Sequence, residues 1–173
     1  PRHTSAGTAY RPDPSLDVAK TLADSIGTTQ QEKELLHTLF VTTKTAFDEE
    51  MAAKGRTNTV SGAFTFFIVA SSTTYHNSPE PSEEAVDAIL DALDETFTEM
   101  PEFAQMSNKD KQQISDTLVA LSGLMVLGNP RFNPEQDERT HAEFRQLAGL
   151  LIQSILQTDP EKLRFDNDGL VVD

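Results

Sequence analysis

The sequence predicts an all-α fold: a single-domain bundle of about six helices, with a central apolar helix near 59–75 and a short extended C-terminal tail. Three observations carry that expectation. Between Arg56 and Glu80 there is no Asp, Glu, Lys or Arg, and the middle of the gap, Val60 to Tyr75, reads VSGAFTFFIVASSTTY. A helix neutral on every side has no face to give to water, so it must be surrounded. Elsewhere apolar residues recur at three- and four-residue spacing, and a capping residue stands before almost every such run. The chain has 173 residues and no cysteine, enough to bury one core without staples.

In chain order, Asp13 is expected to cap a first helix with Pro14 at its first position. Leu16, Ala19, Leu22, Ala23 and Ile26 form its stripe and Gly27 its end. Thr29 and Glu32 make a capping box for a second helix carrying Leu36, Phe40, Thr43, Phe47 and Met51 as far as Gly55. The uncharged helix follows, capped by Asn58 or Thr59, and breaks before Asn77 and the loop SPEP. Ser82 caps a fourth, whose Glu83 and Glu84 suit the positive end of the helix dipole. Its stripe is Ala85, Val86, Ile89, Leu90, Leu93 and Phe97, and Pro101 stops it.

After a short turn at Phe103, Ser107 with Asp110 opens a fifth helix bearing Ile114, Leu118, Leu121 and Met125, which ends at Gly128 and Pro130. Asn133 caps the sixth, with Pro134 first and Gln136 completing a box. Phe144, Leu147, Ala148, Leu151 and Ile155 line its inner side to about Gln157. Asp159 and Pro160 start one more turn. LRFDNDGLVVD then reads as a tail that doubles back at Asp168 and Gly169 into a small hairpin. Residues 1–12, PRHTSAGTAYRP, are expected to be a loose leader before one helical domain at 13–173. The chain opens at Pro1 without an initiator Met, which suits a trimmed chain or a processed export product.

Several function classes recede. Val60 to Ala70 supplies eleven neutral residues before Ser71, Ser72, Thr73 and Thr74, against the roughly 20 that a membrane span needs. There is no Trp to anchor an interface. Against 14 Lys and Arg stand 28 Asp and Glu, a net charge of -14, which repels phosphate backbones and anionic headgroups. Without cysteine there is no thiol nucleophile, disulfide or thiolate metal site, and no mark of redox compartment.

The sharpest chemical signal is a pair of Glu-x-x-His motifs, Glu34/His37 and Glu138/His141, of the kind that builds di-iron sites in helical bundles. Metal binding needs both members of each pair to face inward, and at about 100° per residue they do not. Glu34 falls opposite the Phe40, Thr43 and Phe47 face, with His37 at its margin. Glu138 lies well round from Phe144, Leu151 and Ile155, with His141 marginal. Asp166-Asn167-Asp168-Gly169 resembles part of a calcium loop, but matching its obligatory glycine puts Arg164 at the first ligand position and leaves no room for the closing glutamate. Tyr75 and His76, at the end of the uncharged helix, are the candidate interaction residues. The bland role for His76 is to close its own helix end.

The order AFTFFIVASSTTYHN, then DETFTEMPEFAQMSNKDKQQISDTL with LSGLMVLG, then DPEKLRFDNDGLVV, resembles an uncharacterised family of bacterial exported all-helical proteins, a domain of unknown function. The likeness runs from about Tyr10, with Arg11 and Pro12, to Val171. It implies a periplasmic or secreted helical domain, with the cytoplasm still compatible, and transfers no catalytic residue. The function expected is non-enzymatic binding of a protein or small apolar ligand, or a structural role, in the bacterial envelope, with no cofactor. The alternatives are an apolar-ligand carrier with a cavity in its helical core, and a metalloenzyme or hydrolase using the two Glu/His pairs.

Overall fold

A computed structural model of the chain describes residues 7–166 and 169–173. Among these, seven α-helices are followed by one hairpin: α1 Val18–Ile26, α2 Gln30–Ala53, α3 Val60–His76, α4 Glu83–Glu99, α5 Pro101–Gln105, α6 Asn108–Gly128, α7 Glu138–Leu151, then β1 Leu163–Asp166 and β2 Gly169–Val172. The helix beyond the expected six is α5, which Pro101 begins where a turn at Phe103 was anticipated. The fold is all-α. No helix among the described residues is long and apolar enough to cross a membrane.

Two compact units share the chain. One comprises the chain to Phe64 with Leu90–Leu121, the other Thr65–Ile89 with Ser122–Asp173. The helices α3, α4 and α6 each run unbroken across the boundary between them.

The uncharged helix is enclosed as its composition requires: none of the residues of α3 is exposed. Thr59 caps it, accepting the Gly62 amide at 3.2 Å, while Asn58 takes a left-handed turn with φ 54°. Its Ser/Thr run divides the labour. Ser71 and Thr73 return their hydroxyls to helix carbonyls at Phe67 (2.6 Å) and Val69 (2.7 Å). Ser72 donates instead to the Leu163 carbonyl and Thr74 to the Met125 carbonyl, each at 3.0 Å. Two residues along a helix turn the side chain by about 200°, so alternate hydroxyls reach different neighbours.

In the first unit the segment before α1 is fixed. Residues 1–6 of the expected loose leader lie outside the described residues, but from Gly7 the backbone is held: Val60 N donates to Thr8 O (3.0 Å), and Tyr10 N to Asn58 O (2.9 Å). Asp13 and Gln112 exchange two bonds, at 2.7 and 3.1 Å. Thr8 and Tyr10 point inward and Ala9 outward, the period of a strand. Tyr10 joins Val60 and Phe103 in a core flanked by Phe64, Phe97, Met106 and Ile114. Phe97 stacks on Phe103 with centroids 4.5 Å apart.

Two helix starts are corrected. Asp13 spends its carboxylate on the Ser15 amide (2.9 Å) and hydroxyl (2.6 Å), a local turn of the kind that competes with helix. Asp17 then caps α1 through the Lys20 amide at 3.0 Å. Asn133 sends its side-chain amide back to the Leu127 carbonyl at 2.7 Å, closing α6, and Asp137 caps α7 through Thr140 at 2.7 Å. The second helix begins as anticipated, with both halves of the Thr29/Glu32 box formed.

In the second unit α7 opens into a wide π turn at Ile152–Leu156 and stops at Gln157, φ 53°. The hairpin pairs Leu163 with Val172 and Asp166 with Gly169. Asp168 of the anticipated turn lies outside the described residues, while Gly169 sits at φ 132° and donates its amide to Asp166 Oδ1 at 3.1 Å. The Asp166 carboxylate serves the turn.

Candidate functional site

Both residues singled out at the end of α3 meet the chain that leads into the hairpin. Asn77 adopts a left-handed conformation, φ 48°, and ends the helix. His76 Nε2 lies 3.0 Å from the Pro160 carbonyl and 2.8 Å from that of Leu163. It thus ties down the start of β1 rather than closing its own helix end, where Arg131 donates to the Asn77 carbonyl at 3.2 Å. Tyr75 meets the His76 ring edge-on at 4.9 Å and donates its phenol to Glu161 Oε1 at 2.6 Å. That bond to a carboxylate, with some burial, holds the phenol pKa above its ordinary value.

Tyr75 also lines a groove of about 380 Å³ with Ala142, Arg145, Gln146, Gly149, Leu150, Gln153 and Pro160. The residues from 142 to 153 recur at the spacing of one helix face, the outward face of α7 and of the turn at Ile152–Leu156 that continues it. Gly149 is its floor: a Cβ there would come within 2.9 Å of Tyr75 Cε2. Above the ring stands Arg145, its guanidinium carbon 5.2 Å from the centroid, a cation–π distance. Leu150 beside them is 55% exposed. The inward stripe of α7 was readable from sequence, whereas this outward one was overlooked. A glycine inside a helix, about 1 kcal/mol worse than alanine, was its signal.

A second cavity lies wholly in the first unit. Leu16, Asp17, Val18 and Ala19 at the start of α1, Phe40, Val41, Lys44 and Thr45 of α2, and Asp116 and Ala120 of α6 enclose about 200 Å³. Lys44 Nζ is gripped by both Asp48 oxygens, at 2.5 and 2.6 Å. It stands 3.8 Å from Asp116 Oδ1, beyond hydrogen-bond reach. Gln112 donates to Asp116 Oδ2 at 3.3 Å, while the buried Oδ1 has no hydrogen-bond partner among the described residues. Burial pushes the Asp116 pKa up against the opposing pull of Lys44. Tyr10 is raised as well, by burial first and then by the charge of Asp116.

The two Glu/His pairs are not assembled into a metal site. Glu34 is exposed and accepts from Gln30 at 2.9 Å; His37 lies 3.9 Å from Asp17. Glu138 is exposed at the start of α7, and His141 Nε2 is 3.0 Å from the Asn133 carbonyl. Among the described residues no three His, Asp or Glu converge as metal ligands.

The architecture is that of an all-α domain closed by a C-terminal hairpin latched to one of its helices. The chain belongs to a family of unknown function, DUF6683, whose model matches residues 2–173. To that extent the resemblance read from the sequence holds, across almost the whole chain. No curated protein and no solved structure matches it.

Proposed function

We propose that the chain is a non-enzymatic binding protein of the bacterial envelope that seats a partner segment on the Tyr75/Arg145 groove. The observation that supports this reading is the make-up of the groove: an aromatic ring and a guanidinium over a glycine floor, beside the exposed Leu150. Tyr and Arg dominate interface energies. With one face on the ring, Arg145 keeps its N–H edges for a carboxylate, and the amides of Gln146 and Gln153 suit a peptide backbone. The partner chemistry is therefore an extended peptide with a carboxylate beside an apolar side chain. The envelope location rests on the likeness to exported proteins.

Fluorescence anisotropy with short peptides pairing Leu or Phe with Asp tests the groove. Such peptides should bind the native chain and lose at least about tenfold in affinity to Arg145→Ala, the loss of one hot-spot residue. Equal binding by that variant, or by peptides with Asn for Asp, would sink the proposal. A second reading, a carrier of a small apolar ligand, draws its support from the cleft between α1, α2 and α6.

A further inference from the structure

The cleft between α1, α2 and α6 has a mainly apolar lining that also carries Asp17, Lys44 and Asp116. Its walls are Leu16, Val18, Phe40, Val41 and Ala120, and its volume of about 200 Å³ exceeds the roughly 150 Å³ that suffices to hold benzene. Its charged groups do not cancel. Lys44 is bound by both oxygens of Asp48 and stands 3.8 Å from Asp116, one cation shared between two carboxylates. Asp17 on α1 adds a further carboxylate, leaving the lining negative. A buried carboxylate oxygen without a donor is uncommon enough to need a reason, and Asp116 Oδ1 is one.

From this juxtaposition we infer that the cleft binds a small organic cation, an amine whose apolar body lies among Val18, Phe40, Val41 and Ala120 and whose ammonium faces Asp116. The inference rests on the reading that the cleft holds a small ligand, and it adds the charge. An anionic head is disfavoured, because Lys44, the one ammonium lining the cleft among the described residues, is already ion-paired and two carboxylates line the same cleft. A neutral head would leave the Asp116 charge only partly compensated, by Lys44 at 3.8 Å, at a largely buried site. The groups facing Asp116 are Lys44 and Asp48 of α2, Gln112 of its own helix, and Tyr10 of the N-terminal segment. Since a bound cation favours the ionised carboxylate, binding should tighten as pH rises through the raised pKa of Asp116.

The test is an amide-resolved NMR titration of the whole chain with three probes of one shape: phenethylammonium, phenethyl alcohol and hydrocinnamate. Phenethylammonium should shift the amides of Val18, Val41 and Ala120 and bind at least about tenfold tighter than the alcohol, as expected for a charge-assisted contact. Asp116→Asn, which keeps the side-chain shape, should abolish that preference. Val41→Trp, at the exposed rim, should block every probe, and it decides the matter if the first variant fails to fold. Equal binding of ammonium and alcohol, or tighter binding of hydrocinnamate, would overturn the cation inference and leave the carrier reading standing. Shifts outside the cleft, or none with any probe, would overturn both.

Discussion

Arg56 and Asp94 form an ion pair almost withdrawn from water, their side chains retaining 13% and 5% of their exposure. The same carboxylate accepts the Thr8 hydroxyl at 3.0 Å and that of Ser61, so one buried charge joins the N-terminal segment, the loop before α3, α3 itself and α4. Removing one partner of a buried pair leaves the other charge uncompensated. Asp94→Ala should therefore cost about 3–5 kcal/mol. Asp91, the other carboxylate on Arg56, is 43% exposed, and Asp91→Ala should cost less than about 1 kcal/mol. Urea unfolding midpoints separate the two; equal losses would mean that Asp94 does not anchor this segment.

Gly128 lets Phe144 of α7 lie on the end of α6. A Cβ at that position would stand 1.9 Å from Phe144 Cγ and 2.2 Å from Cδ1, so the ring or the helix must move. Alanine gains at most about 1 kcal/mol of helix propensity, against roughly 1–3 kcal/mol for forcing volume into packed space. Gly128→Ala should be net destabilising, with a lower thermal midpoint. Phe144→Leu made in the same chain should recover part of the loss, because the two sites are in contact; additive losses would refute the clash.

What could be read in advance was what depends on neighbours in sequence. The Thr29/Glu32 box, the Ser82 and Ser107 caps and the enclosure of α3 follow from composition and spacing within a few residues. Where two caps competed, at Asp13 against Asp17 and Asn133 against Asp137, the outcome turned on where the first side chain found a partner, Ser15 in one case and Leu127 in the other. Tyr10 looked loose because polar neighbours hide its strand-like alternation with Thr8. The candidate sites were still less legible. Asp116 becomes notable only when Lys44 and the start of α1 are brought beside it, and Arg145 only when Tyr75 lies beneath it. Both are contacts between residues far apart in the chain, and the one mark that either leaves in the sequence is the glycine at 149 that floors the groove.

His76 and Tyr75 hold the hairpin unequally. The His76 ring serves two carbonyls, of Pro160 and Leu163, in a partly buried place, so His76→Ala should cost about 1–3 kcal/mol for acceptors left unmet. Tyr75→Phe removes one exposed bond to Glu161 and should cost less than about 1 kcal/mol. Hydrogen exchange at the Arg164 and Val171 amides, which face each other across the hairpin, should speed up strongly in the first variant and little in the second. If both leave exchange unchanged, the hairpin does not depend on this latch. In Glu161→Gln the Tyr75 phenol, released from a carboxylate, should titrate at lower pH by ultraviolet absorbance.

Asp116 should cost stability at neutral pH. Its pKa is raised in the folded chain, chiefly by burial, so the native carboxyl holds its proton more tightly than the unfolded one. The folded state then binds more protons over that interval, and stability falls as pH rises from the ordinary aspartate value, about 4, through the raised one. Asp116→Asn removes the ionisation while Lys44 keeps Asp48. The variant should have the higher urea midpoint near neutrality, and its advantage should vanish below the ordinary aspartate range. A variant less stable than the native chain at neutral pH would show that the pull of Lys44 outweighs burial. A carboxylate kept at such a cost is what a ligand site requires. Accordingly, phenethylammonium should raise the unfolding midpoint of the native chain more than phenethyl alcohol does, and that of Asp116→Asn no more than the alcohol does.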